Sequence, residues 1–205
     1  YNWIISSYKK YPNCKYKLND DLQRRFELIK GKLFAYTHSE KETLAIYSGK
    51  NTAEAQYAMA TIYLLNGNYN KAIKSIESLI AREENNPYFH EILAEIYFSI
   101  GKHNLAILEQ RKVIRLMSVE NDLQLMILAN YLLAEASKES LIAAIKALNK
   151  SLFLNSNNSY AWFLLAKGYA LTGDLALAQY ASSERYYLRG DKALALSMLK
   201  KAIKN

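Results

Sequence analysis

The chain has 205 residues, the length of one large domain or one repeat array. Its 51% apolar residues exclude general disorder, and its seven Gly and two Pro argue against an all-β fold, which needs many turn residues. The single cysteine, Cys14, excludes an internal disulfide and a cysteine-based zinc cluster. No apolar run of about 18 residues occurs, so we expect no transmembrane segment. The net charge of +8 leaves a nucleic-acid or membrane-surface partner open.

The first 52 residues do not follow the pattern of the rest of the chain. The sequence starts at Tyr1 without a leader sequence, so we expect a fragment or a processed form. Residues 1–19 carry four Lys and several Tyr, which favours an extended linker in which Cys14 is an ordinary thiol. Residues 20–36 predict an amphipathic helix, whose apolar residues are Leu22, Phe26, Ile29, Leu33 and Phe34. Ser39 and Glu42 have the spacing of a capping box for a second, short helix.

From residue 53 onward the sequence repeats every 34 residues, as the step from Gly67 to Gly101 shows. A small residue recurs at the eighth position of each copy and a large one at the eleventh: Ala60, Ala94 and Ala166, and Tyr63, Tyr97, Tyr131 and Tyr169. The fourth copy follows after 38 residues, and we place the four extra residues in 136–141, between the two helices of the third copy. A last helix is expected over 193–204, with its lysines facing solvent.

Each copy predicts two helices joined by a tight turn; in the first, these are 53–65 and 69–82 around Gly67. One such hairpin cannot bury its own apolar face, so the copies must stack. The predicted fold is therefore all-α, a right-handed α-α superhelix of about four to five helical hairpins after an N-terminal helical linker segment (residues 1–52). The predicted array covers 53–205, in copies 53–86, 87–120, 121–158 and 159–205.

No pattern of catalytic residues emerges. His90-Glu91 begins like the zinc-peptidase motif HExxH, but Ala94 stands where the second His is required. We expect packing or a surface position for His90, and His38 and His103 fall in separate predicted turns. There is no P-loop and no GxGxxG, so we expect no enzymatic activity and no cofactor in this chain.

The repeat pattern resembles the tetratricopeptide repeat (TPR), although Glu84, Ser118 and Ser156 replace its usual Pro and Glu135 replaces a Gly. The resemblance implies that the first helix of each hairpin lines a concave, partner-binding groove. Its candidate residues are Tyr57, Thr61, Leu64, Tyr88, Glu91, Glu95, Phe98, Leu125, Ala129, Tyr160, Phe163 and Lys167.

Glu91 and Glu95 stand where the resemblance would require cations to capture a C-terminal carboxylate. We therefore expect an apolar or mildly basic partner segment. Alternatively, some of the groove aromatics pack against neighbouring helices or the N-terminal segment. If the groove interpretation is right, truncation should weaken capture without unfolding at Tyr57, Phe98 and Phe163, and should destabilise the fold at Tyr63 and Tyr97.

A finer resemblance extends over nearly the whole chain and rests on four stretches: residues 20–33, 80–93, 137–145 and 181–195. These stretches are similar to the C-terminal TPR region of periplasmic zinc metallopeptidases of the HtpX/BepA-like group (peptidase family M forty-eight). The resemblance implies a non-catalytic module in envelope protein quality control. It would dock on the attached protease domain and recruit substrates or the outer-membrane β-barrel assembly machinery. Zinc would belong only to that protease domain, which would precede Tyr1.

Two other functions remain open: a free-standing TPR scaffold unrelated to proteolysis, and nucleic-acid binding. The distribution of charge disfavours the second, because the net charge is +5 in 1–52, −1 in 53–120, 0 in 121–158 and +4 in 159–205. The first three copies, where the groove would form, are nearly neutral. We expect protein or peptide partners and no nucleic acid.

Overall fold

The computed structural model describes residues 19–204, so nearly all of the predicted linker, including Cys14, lies outside the described residues. Within that range every regular element is an α-helix. The helices are α1 (Asp20–Thr37), α2 (Glu40–Tyr47), α3 (Ala53–Leu65), α4 (Tyr69–Ile80), α5 (Pro87–Ser99), α6 (His103–Leu116), α7 (Asp122–Glu135), α8 (Lys138–Leu154), α9 (Ser159–Thr172), α10 (Leu175–Leu188) and α11 (Lys192–Lys204).

The helix boundaries follow local signals that are visible in the sequence. The capping box is present at the start of α2, where the Ser39 backbone N–H donates to Glu42 Oε2 at 2.9 Å. Thr52 caps α3 by accepting a hydrogen bond from the Ala55 N–H at 3.2 Å. Gly67 follows α3 with φ +72°, a left-handed conformation that an L side chain rarely adopts. The predicted helix–turn–helix of the first copy is therefore confirmed.

Helices α3 to α10 form four hairpins that stack in chain order, and α11 packs against α10 at the end of the stack. Each hairpin packs its two helices together and then contacts the first helix of the next hairpin. Ala60 and Ala94 are completely buried, which lets neighbouring helices approach closely, as the repeat pattern predicts. The predicted stack of helical hairpins is confirmed.

In the third hairpin, the four extra residues do not lie where the sequence predicted them. Its turn is short, because Ala136 takes the left-handed conformation with φ 63° and Ser137 already caps α8. The extra residues therefore lengthen α8 to 17 residues, whereas α4 has 12 and α6 has 14. Placing them between the two helices was wrong, since Ser137 accepts a hydrogen bond from the Ser140 N–H and starts the helix early.

His90 is a polar residue of the core, and its two ring nitrogens connect three segments. Nδ1 lies 2.5 Å from Oε2 of Glu109 on α6, and Nε2 lies 2.7 Å from the carbonyl oxygen of Glu84 in the preceding loop. The other oxygen of Glu109 accepts from Lys112 at 2.7 Å. His90 is only 3% exposed, so it holds α5 and α6 together rather than facing a ligand.

Candidate functional site

Helix α1 lies against the predicted groove positions of the first hairpin. It packs along α3, and Gly31 marks the closest approach. A Cβ atom at Gly31 would stand 2.8 Å from the Glu54 carbonyl oxygen and 2.9 Å from Glu54 Cγ. Leu28, on the same side of α1, joins the core cluster that contains Tyr57 and Phe89. The chain therefore fills part of its own groove.

Three cations of α1 pair with acidic groups around the groove. Arg24 pairs with Glu83 in the loop before α5. Lys30 Nζ lies 3.5 Å from Glu54 Oε1 on α3, and Lys32 Nζ donates to Glu91 Oε1 on α5 at 3.2 Å. The Lys32 ammonium also lies 5.9 Å from the centre of the Tyr57 ring. We call the region formed by α1, Glu54, Tyr57, Glu91 and Glu95 the occupied half of the groove.

The predicted groove residues of the first copy are all buried. Tyr57 is 2% exposed, Thr61 is 0% exposed and Leu64 is 6% exposed. The Tyr57 hydroxyl donates to the Tyr88 carbonyl oxygen at 3.2 Å, and its ring centre lies 5.4 Å from that of Phe89. The structure does not place Tyr57 on an open groove surface, because α1 and α5 enclose its side chain, so we now expect its truncation to destabilise the fold. The alternative, packing against the N-terminal segment, is what the structure shows here.

The acidic centre of the groove is partly shielded from water. Glu95 is half-buried, and this burial raises the pKa of its carboxyl; the Lys32 charge lowers it, and Glu91 raises it further. Loss of hydration, with the nearby Glu95 and Glu91 charges, likewise raises the pKa of Tyr36 on α1 to about 12. The acidic groups of the occupied half are Glu54, Glu91 and Glu95, and cations of α1 lie beside them.

The middle of the predicted groove is mostly packed. Leu125 is 7% exposed and Ala129 is 0% exposed, so neither offers a surface to a partner. Phe98 is half-buried, and its ring stacks on that of Tyr131 with 4.5 Å between the centres. Tyr88 keeps 37% of its surface exposed beside a cleft of about 800 Å³. Of these predicted groove residues, Tyr88 therefore offers the largest exposed surface.

The last hairpin presents an exposed aromatic surface. Tyr160 is 48% exposed and Phe163 is 36% exposed, with 5.8 Å between their ring centres. Lys167 lies one turn further along the same face of α9 and is exposed. The guanidinium of Arg185, on α10, lies over the Phe163 ring at 4.4 Å from its centre. These four residues and Leu171, which is 49% exposed, form what we call the open face.

Sequence reasoning missed Arg185 and misjudged α1. The repeat pattern points only to the first helix of each hairpin, so a residue of α10 carried no signal. In α1, Leu28, Gly31 and Ala35 are the buried residues. Five other apolar residues of α1 form an exposed stripe, 45–56% accessible: Leu22, Phe26, Ile29, Leu33 and Tyr36. Phe34 is partly buried.

Residues 19–204 offer neither a metal site nor a membrane-spanning helix. No group of three or more His, Cys, Asp or Glu side chains in this part of the chain is arranged to hold a metal ion. None of its helices is long and apolar enough to cross a membrane.

The stacked hairpins define a TPR-like helical repeat domain, and known structures agree. The thermophilic TPR protein TTC0263 of Thermus thermophilus superposes with a TM-score of 0.60 at 17% identity, over 89% of this chain and 100% of that chain. MamA has a TM-score of 0.52 at 21% identity, over 71% of this chain and 93% of its own. In the APC/C hetero-tetramer Cut9-Hcn1, the match has a TM-score of 0.57 at 20% identity, over 84% of this chain and 35% of that chain. The predicted all-α TPR solenoid is confirmed.

Similarity in sequence points to two groups of proteins. Residues 35–109 match the family model described as anaphase-promoting complex, cyclosome, subunit 3. The beta-barrel assembly-enhancing protease of Escherichia coli (strain K12) is 30% identical over 148 residues, or 72% of this chain. The protein of that name in Shigella flexneri matches to the same extent. The chain spans only 29% of the length of these relatives.

Proposed function

We propose that this chain is the non-catalytic, protein-binding TPR region of a bacterial envelope zinc metalloprotease. The TPR-like scaffold supports a role in protein interaction, and the open face is the observation that carries it. Tyr160 and Phe163 leave a large aromatic area in water on the side of α9 where TPR-like domains hold partner segments. Such a module recruits proteins and performs no chemistry itself.

The assignment to an envelope protease rests on the 30% identity to the beta-barrel assembly-enhancing protease. On this proposal the domain works in the periplasm, next to a protease domain that carries the zinc. It brings substrates or the outer-membrane β-barrel assembly machinery to that domain. A free-standing TPR scaffold, unrelated to proteolysis, is the alternative.

Site-specific photocrosslinking tests the interaction role in the cell. A photoreactive residue replaces Tyr160 or Phe163 in the full-length protein, and Leu108, which is 48% exposed on α6, serves as the control position. We expect the same partner to be crosslinked from both α9 positions and not from position 108. Equal crosslinking from all three positions, or from none, would contradict a groove on this side.

The link to proteolysis is tested separately, by reading the complete open reading frame. We expect it to encode a secretory signal and an HExxH motif upstream of Tyr1. A frame without either feature would remove the protease and the periplasm from the proposal and favour the free-standing scaffold.

A further inference from the structure

The two ends of the repeat stack differ in whether their cationic side chains form ion pairs. Around the occupied half, Arg24, Lys30 and Lys32 all form ion pairs. Residues 159–204 contain seven cationic side chains: Lys167, Arg185, Arg189, Lys192, Lys200, Lys201 and Lys204. Within the described part of the chain, none of them forms an ion pair with a carboxylate. The C-terminal end therefore carries positive charge that forms no ion pairs within residues 19–204.

The three acidic residues of the same region interact with groups of their own helices. Asp174 accepts the Leu177 N–H at 3.1 Å and Asp191 accepts the Leu194 N–H at 3.0 Å, so each caps the start of a helix. Glu184 interacts with Tyr180 one turn away and raises the pKa of its phenol, after the larger effect of burial. In the described part of the chain none of these three carboxylates forms an ion pair with the cations beside the open face.

The geometry of the open face combines apolar area with two cations. Arg185 lies over the Phe163 ring at 4.4 Å, which holds its guanidinium at the edge of the aromatic surface. Lys167 is one helical turn from Phe163, so the ring has a cation near it on α9 as well as on α10. Leu171 extends the surface by a further turn with aliphatic area.

We propose that the open face binds an acidic, apolar segment of a protein partner. Side-chain carboxylates of the segment pair with Lys167 and Arg185, while its apolar side chains cover Tyr160 and Phe163. The occupied half shows the reversed arrangement, because there cations of α1 pair with acidic residues of the repeats. The inference rests on the proposed function and specifies the chemistry of its partner.

A nucleic acid is the competing class of ligand, since aromatic and cationic side chains also bind single strands. The open face favours a protein segment because Arg185 already covers one side of Phe163, and because the surface continues into Leu171, which offers no stacking plane. The experiment below includes a nucleic acid for this reason.

Fluorescence anisotropy with a defined peptide tests the proposal directly. The probe is a labelled twelve-residue peptide that alternates Glu with Leu and Phe, and the control peptide replaces every Glu with Lys. We expect the full-length protein to bind the Glu peptide, with affinity that falls as salt is added, and to bind the Lys peptide at least about tenfold more weakly. Lys167→Glu should weaken binding of the Glu peptide by about tenfold or more.

Lys74→Glu is the matched control, because Lys74 is exposed on α4 and the change in net charge is the same. We expect it to alter affinity by less than about twofold. Arg185→Gln provides a second variant, and it should also weaken binding. Loss of affinity in the Lys74 variant equal to that in the Lys167 variant would overturn the proposal, and so would equal binding of the two peptides.

Two further outcomes separate this inference from the proposed function. If photocrosslinking identifies a partner at position 163 but the Glu peptide does not bind, the acidic partner is wrong and the interaction role stands. If an unlabelled twelve-nucleotide oligo-dT displaces the Glu peptide at lower concentration than the unlabelled peptide does, the open face is a nucleic-acid site instead. If neither the crosslinking nor the peptide gives a signal, both proposals fail.

Discussion

The occupied half and the open face use the same repeat position in opposite ways. Tyr57 and Phe163 both stand at the fifth position of their copies, yet the first is 2% exposed and the second is 36% exposed. Two neighbours enclose Tyr57: α1, which lies outside the repeats, and α5 of the next hairpin, whose Tyr88 and Phe89 it contacts. Within residues 19–204 no further hairpin follows that of α9 and α10. A repeat position therefore predicts on which side of the stack a residue lies, but a neighbouring segment decides whether a partner can reach it.

Truncation of these two aromatic side chains should give the largest contrast. Tyr57→Ala removes a buried ring that packs on Phe89 and a hydrogen bond to Tyr88, so we expect a loss of about 3–5 kcal/mol in the free energy of unfolding. Phe163→Ala should cost about 1 kcal/mol, because its ring is partly in water. Urea denaturation of both variants measures the difference. Similar losses would contradict the burial of Tyr57 between α1 and α5.

Two helical glycines give a second, matched comparison. Gly31→Ala forces a Cβ against the backbone oxygen of Glu54 at 2.8 Å, so α1 must move away from α3. In Gly168→Ala, the new Cβ lies 3.1 Å from Ile145 Cγ1 and 3.4 Å from Leu133 Cδ2, both of which belong to side chains that can adjust.

Both glycine substitutions gain about 1 kcal/mol of helix propensity, so their difference reports the contact alone. We expect Gly31→Ala to lose about 1–3 kcal/mol and Gly168→Ala to lie between no change and a gain of about 1 kcal/mol. Denaturant midpoints check the order. A more destabilising change at Gly168 would contradict the close approach of α1 and α3.

The ion pair between Lys32 and Glu91 should stabilise the packing of α1 less than its buried contacts do. Both side chains are 23% exposed, and their atoms are 3.2 Å apart, so Lys32→Ala should cost about 1 kcal/mol and the cost should fall in high salt. Lys74→Ala is the control, because Lys74 is exposed on α4, and we expect its effect to stay within about 0.5 kcal/mol. Thermal unfolding at low and high salt measures both. A salt-independent loss at Lys32 would show that its aliphatic packing, not its charge, matters.

Much of the fold could be predicted from the sequence, because its causes are local or repeat along the chain. The capping residues Ser39 and Thr52 and the left-handed Gly67 act within one turn, and the spacing of apolar residues specifies which helices must stack. The position of α1 against α3 could not be predicted, since most of its larger apolar residues are exposed and its buried residues are only Leu28, Gly31 and Ala35. Gly31 has no side chain, so the spacing of apolar residues in the sequence does not reveal this contact.

The candidate site could be predicted only in part, for the same physical reason. The repeat pattern identified Tyr160, Phe163 and Lys167, which the structure places together on α9. Arg185 reaches them from α10, and only the packing of the two helices brings it near Phe163. Partner binding at all four residues stays a prediction until the peptide experiment is done.

The smallest expected effect concerns Glu95 in the occupied half. Burial raises the pKa of this carboxyl above its ordinary value, so near that value the folded protein keeps a proton that the unfolded chain has lost. This group's contribution to stability therefore falls as the pH rises from the ordinary carboxyl pKa through the raised one. Above that window the charged carboxylate costs stability, which Lys32 only partly offsets.

Glu95→Gln keeps the shape of the side chain and removes the charge. We expect it to raise stability at pH 7 by up to about 1 kcal/mol, and to change it little at a pH below the ordinary carboxyl pKa, where the wild-type group is protonated in both states. Thermal unfolding of the two proteins across this pH range measures the effect, with Glu139→Gln on an exposed face of α8 as the control. A destabilised Glu95 variant at neutral pH would mean that its pairing with the cations of α1 outweighs its burial, and that charge rather than close packing holds the helix in the groove.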